Sequence, residues 1–128
     1  METIEWNNNF SVGIDIIDEQ HRTLIDLTND LIIALSENKE KLTLSVFLEA
    51  LLDYSIYHFD AEEDYASETN SPSLAEHKLM HKAFSDKILE YKARLEMDDQ
   101  STAKELLEYL KKWLVEHIQK ADRELFDC

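Results

Sequence analysis

The chain has 128 residues, a formal charge of −15 from 28 acidic against 13 basic side chains, and only one Gly, one Pro and one Cys. At this length a single domain with a core of its own is expected. One Gly and one Pro exclude turn-rich sheet folds and the glycine loops of Rossmann and P-loop sites, leaving a few long helices.

The acidity argues against nucleic acid, which needs clustered Lys and Arg, and against an anionic membrane surface. A hydrophobic content of 44% at regular spacing argues against disorder. Met1 to Glu5 carry no basic or apolar leader pattern, and no stretch approaches the roughly 20 apolar residues of a membrane span. The lone Cys128 cannot form an internal disulfide and reads as an inert terminal thiol. The expectation is a soluble cytoplasmic monomer of one domain, 1–128.

Residues 1–16 read as an arm. Asn7, Asn8, Asn9 and Gly13 discourage regular structure, while Trp6, Phe10, Val12 and Ile14 are apolar enough to cap a bundle. The first helix is predicted over 18–37, with Asp18 as N-cap and a stripe of Ile17, His21, Leu24, Thr28, Leu31 and Leu35. The second is predicted over 43–65, with Leu44, Phe47, Leu48, Leu51, Ser55, His58, Glu62 and Tyr65 on one side. The third is predicted over 72–95, with Pro72 in its first position and a stripe of Leu74, His77, His81, Phe84, Ile88, Tyr91 and Leu95. The fourth is predicted over 102–125, opened by a Thr102–Glu105 capping box, with Leu106, Leu110, Trp113, Leu114, His117, Ala121 and Leu125 inward. Short links near 38–42, 66–71 and 96–100 make sequential helices antiparallel neighbours. The fold expected is therefore an all-α, antiparallel up-down-up-down four-helix bundle with an N-terminal arm.

All five histidines lie on these apolar stripes. His58 and Glu62 are four apart on one helix face, as are His77 and His81. His117 and Asp122 are five apart, which turns a regular helix by about 140° and separates their faces. Either the helix loosens there or the short Asp side chain reaches sideways. His21, near the start of the first helix, His58 and Glu62, near the end of the second, and the corresponding pairs of the third and fourth all meet at one end of the bundle.

Buried unpaired carboxylates are costly, and five neutral imidazoles cannot offset two of them. Metal cations can. Seven donors exceed one tetrahedral zinc, and neither HExxH nor a Cys pair is present. Mixed nitrogen and oxygen ligation suits a pair of roughly octahedral iron or manganese ions. If both carboxylates and one solvent oxygen bridge them, a single position stays open for a small ligand. Glu63 and Asp64, beside Glu62, and the pair Asp98 and Asp99 read as solvated faces.

These residues carry a resemblance. Val12-Gly13-Ile14 through Ile17-Asp18-Glu19-Gln20-His21, His58-Phe59 with Glu62-Glu63, His77-Lys78-Leu79-Met80-His81-Lys82-Ala83-Phe84, and Trp113-Leu114-Val115-Glu116-His117-Ile118 with Asp122 together resemble the hemerythrin family, in its single-domain bacterial form, across the chain. The resemblance implies two non-haem irons joined by an oxo or hydroxo bridge, with O2 as the ligand. His77, His81 and His117 would hold the saturated iron, His21 and His58 the open one, and Glu62 and Asp122 would bridge. Leu24, Phe59, Trp113, Leu114 and Ile118 would wall the O2 pocket. The family usually carries a Met soon after the Glu pair, where this chain has Ala66. The missing side chain leaves room for a wider pocket, and Ala66→Met is expected to slow autoxidation.

The function implied is reversible O2 binding for storage, transport or delivery to an O2-consuming enzyme, without catalysis by the chain itself. A di-iron redox enzyme (oxidase, peroxidase or NO reductase) is the alternative. An O2 or redox sensor is the third reading, although sensors are usually fused to signalling domains and no second domain is visible here.

Overall fold

The computed structural model describes residues 3–37, 41–97 and 100–126. Four long helices account for most of them: α1 Asp15–Ser36, α2 Lys41–Glu68, α3 Leu74–Glu96 and α4 Gln100–Glu116. The path of α4 continues through a six-residue π segment, His117–Asp122, into a last α turn, Arg123–Leu125. Each helix packs on the next, and α4 packs back on α1, which closes the four-helix bundle that the apolar stripes require. Cys128, Asp98, Asp99 and parts of two predicted links (38–40 and 98–99) lie outside the described residues. No helix among the described residues is long and apolar enough to cross a membrane.

The stripes supply the core. Leu31, Ile32, Leu48, Ile88 and Leu106 are completely buried in the half of the bundle away from the histidines. Tyr65 departs from its predicted inward stripe. It is 37% exposed and packs edge-on against Phe126 with ring centroids 5.7 Å apart.

The helix boundaries differ from expectation in instructive ways. Asp18 does not cap α1, which already begins at Asp15 after Ile14. Its carboxylate instead accepts from Ser11 Oγ at 2.6 Å and Val12 N at 2.8 Å, so it fastens the arm to the first turn. Gly13 makes the bend between arm and helix at φ +77°, a region that costs a side-chain-bearing residue about 1–2 kcal/mol. Phe10 and Val12 are buried, Arg22 lies 4.0 Å over the Trp6 ring, and Asn29 exchanges two hydrogen bonds with the Ile4 backbone. The arm is thereby docked along α1.

The α2–α3 turn also moves. α2 runs past residue 65 to Glu68 and ends in a Schellman motif. Asn70 takes the left-handed conformation at φ 55°, and the Ser71 N–H donates to the Ala66 carbonyl at 2.9 Å. Pro72 therefore sits in the turn, and α3 starts two residues later at Leu74. Thr102 and Glu105 do not form a capping box, because α4 begins at Gln100 and Thr102 is already buried inside it.

Candidate metal centre

Each site residue owes its position to helix phase. His21 stands in the second turn of α1, which starts at Asp15 and so three residues before the predicted bound of 18. α1 supplies His21 alone, and α2 and α3 each supply a pair at regular α spacing. His58 and Glu62 sit one turn apart on α2, as do His77 and His81 on α3. The fourth needs the π segment. Its i→i+5 hydrogen bonding brings residues five apart into phase, so His117 and Asp122 face the same point and their Nε2 and Oδ1 atoms are 3.0 Å apart. Of the two possibilities left by the spacing, helix loosening is the one realised.

All seven side chains are buried, and Glu62 and Asp122 are completely so. Their donor atoms form two groups, within each of which the atoms lie within 4.8 Å of one another. One contains His77, His81 and His117; the other contains His21 and His58; Glu62 and Asp122 belong to both. The carboxylate oxygens are divided the same way. Glu62 Oε2 lies 3.2 Å from both His21 and His58, while its Oε1 lies 3.1 Å from His81. Asp122 Oδ2 lies 3.0 Å from His21, while its Oδ1 lies 2.8 Å from His77. Each carboxylate therefore offers one oxygen to each group.

The outward ring nitrogens explain why the inward ones are ligand-like. His21 Nδ1 donates to the Phe10 carbonyl at 3.2 Å, His58 Nδ1 to Gln20 Oε1 at 2.7 Å, and His81 Nδ1 to Glu63 Oε2 at 2.9 Å. Those acceptors require a proton on Nδ1. In the neutral imidazole this leaves a lone pair on Nε2, pointed at carboxylate oxygens. Glu62 Oε1, both Asp122 oxygens and Nε2 of His77, His81 and His117 are buried with no hydrogen-bond partner. Acceptor facing acceptor in a dry interior is unfavourable until a cation lies between them. The donor set fits metal ions.

Without a metal, protons take that role. Burial pushes the His21 imidazole down, but Asp122 and Glu62 beside it outweigh this and raise it to about 10. The same balance raises His77 to about 9. Burial pushes the Glu62 carboxyl up, yet His58, His21 and His77 hold it well below its usual range. Asp122 is lowered too, since His117 and His21 overcome burial and the neighbouring Glu62 charge.

Phe59 stacks on His81 at 3.8 Å and 7°, and Trp113 stacks on His117 at 4.2 Å and 9°. Two of the five expected pocket residues thus lie flat on imidazoles of the three-histidine group. Leu24, Leu114 and Ile118 are buried in the shared apolar core. Ala66 is fully buried inside α2. The cavity of about 490 Å³ at this end is lined by its neighbours Tyr65 and Thr69, together with Ser71, Pro72, Leu125 and Phe126.

Three contributors were not singled out from sequence. Glu63 stands in a charge run whose pattern indicates a solvated face, yet its carboxylate accepts from His81 Nδ1. Gln20 falls on the buried side of α1, and its place next to His21 was the available signal. The Phe10 carbonyl left no trace in the side-chain pattern.

Residues 12–128 match the family model described as the hemerythrin HHE cation binding domain. The chain belongs to the hemerythrin family. It is 31% identical to the bacteriohemerythrin of Stenotrophomonas maltophilia over 127 residues, which span 99% of this chain and 82% of that one. Against the bacteriohemerythrin of Clostridium acetobutylicum the identity is 32% over 127 residues, 95% of this chain and 98% of that one. A crystal structure of wild-type hemerythrin superposes with a TM-score of 0.84 at 24% identity, over 99% of this chain and 98% of that one, and so shares the fold.

Proposed function

We propose that His21, His58, Glu62, His77, His81, His117 and Asp122 hold two iron ions and that the chain binds O2 reversibly, for storage, transport or delivery to an O2-requiring enzyme. The observation that carries this reading is the division of both buried carboxylates between a three-histidine and a two-histidine group. With Glu62 and Asp122 shared, the first group offers five protein residues and the second four. The position with fewer protein ligands is the one left to accept a small molecule.

The ions would supply the electrons that O2 binding requires. The chain's own residues keep the ions in place and keep water out. Nδ1 bonds orient three of the imidazoles, Phe59 and Trp113 lie flat on two of them, and Leu24, Leu114 and Ile118 belong to the apolar core that Phe59 joins and would complete the wall. Among the described residues, two carboxylates face the centre. That low anionic charge stabilises highly oxidised iron poorly and favours carriage over oxidation of a substrate.

A metal count with aerobic and anaerobic visible spectra tests the reading. Two irons per chain, with a visible band that disappears when O2 is removed and returns when it is restored, are expected. One zinc per chain, or steady consumption of O2 with irreversible bleaching, would overturn it.

A further inference from the structure

The three acceptors on the imidazole Nδ1 atoms are not equivalent. The two-histidine group is served by neutral oxygens, the Phe10 carbonyl for His21 and the Gln20 amide for His58. In the three-histidine group, His81 is served by an anion, Glu63. The bond has an ordinary length of 2.9 Å, longer than the 2.7 Å bond from His58 to Gln20; what sets it apart is the carboxylate acceptor, which makes it a charge-assisted one.

Glu63 also differs in location. Gln20 is 4% exposed, whereas the Glu63 side chain is 22% exposed. It lines a cleft of about 250 Å³ between α2 and α3, with Asp60, Lys78, His81 and Lys82. The Glu63 charge thus keeps contact with solvent while its oxygen reaches the buried ring. Phe59, stacked on the same ring at 3.8 Å, fixes the ring plane from its face. The His81 imidazole is held by an edge contact and a face contact together.

A carboxylate drawing on Nδ1–H raises electron density on Nε2 and makes the ring a stronger donor to a metal; an amide or peptide carbonyl does so less. We propose that Glu63 is a positioning residue, which acts through His81 to make the three-histidine position the tighter of the two and the first to fill. Gln20 is its weaker counterpart on the two-histidine side. The inference rests on the two-metal reading above and adds an order of loading that the donor atoms alone do not assign to any outer residue.

Anaerobic titration of the metal-free chain with Co2+, followed by its visible bands and by proton NMR, tests it. The unsubstituted chain is expected to take up two Co2+ in two resolved steps. Glu63→Gln should weaken the first step by about 10- to 100-fold and leave the second within about threefold. Gln20→Leu should weaken the second step and spare the first. In the Co2+-loaded chain, the paramagnetically shifted, exchangeable Nδ1–H signal of His81 should move in Glu63→Gln while those of His21 and His58 stay in place. A general loss of packing would not move one ring alone. Equal weakening of both steps, weakening of the second alone, no weakening, or an unmoved His81 signal overturns the role of Glu63. Uptake of fewer than two Co2+ by the unsubstituted chain overturns the two-metal reading itself, and the loading order with it.

Discussion

His117 Nε2 lies 3.0 Å from Asp122 Oδ1 although five residues separate them, a pairing that a regular α-helix does not permit. The π segment His117–Asp122 makes it possible, and with it Asp122 joins both donor groups while His117 joins one. Substitutions at shared and unshared ligands should therefore differ. Asp122→Asn is expected to bring metal content from two ions per chain to one or fewer, because it removes an anionic donor from both positions. His58→Ala should leave one ion, in the three-histidine position. Elemental analysis of the purified variants distinguishes these outcomes; two ions retained in Asp122→Asn would contradict the shared role.

The metal-free chain should have an unusual pH profile. His21 and His77 are raised in the folded state to about 10 and about 9, so their stabilisation is fully present below the unfolded imidazole value of about 6.5. It is lost progressively as pH climbs through the folded values. Glu62 and Asp122 are lowered, so their stabilisation is present above the ordinary carboxylate range and is lost as pH falls. Stability should peak at about pH 5 to 6.5 and decline toward pH 10. Urea unfolding of the chelator-treated protein across that range measures it, and a midpoint that rises from pH 7 to 10 would be inconsistent.

Metal binding must displace the protons that stand in for it. At pH 7 both His21 and His77 carry the extra proton when metal is absent. Loading should release about two protons per chain. Calorimetric titrations in buffers of different ionisation enthalpy read this number directly. The same loading should raise the melting temperature, since ligand at about 100 times its Kd stabilises by about 2.7 kcal/mol. Release near zero would place the protons elsewhere.

Ala66 was expected from the resemblance to leave a gap. In the fold it is fully buried, and the nearby cavity is lined by other residues. Ala66→Met should accordingly overpack α2 and cost about 1–3 kcal/mol of stability. Thermal melts of the metal-free variant test this separately from autoxidation; an unchanged melting temperature would mean that the site holds a Met without strain.

Much of this was legible in the residue order because helix periodicity is local. The stripes of α1 and α3 put His21, Thr28, His77 and His81 on buried faces, and each is buried. The helix ends were less legible. Asp18 and Thr102 are good capping residues by type and Pro72 a good first helical residue, yet none of them takes that place. Asp18 found better partners in the arm, and Asn70 closed α2 in a left-handed turn that let the helix outlast its apolar pattern.

By itself, the sequence determined that this protein is a bundle with five imidazoles and two carboxylates at one end, because side-chain type and spacing along a helix decide which groups turn inward. Only the tertiary structure decided how those groups are shared. Whether a carboxylate faces one pair of imidazoles or two depends on the distance between helices. The phase of Asp122 depends on a π segment whose hydrogen bonds no spacing rule specifies. The Glu63 carboxylate met His81 only because α2 and α3 pack side by side. Periodicity is carried within one helix, whereas coordination is built between helices.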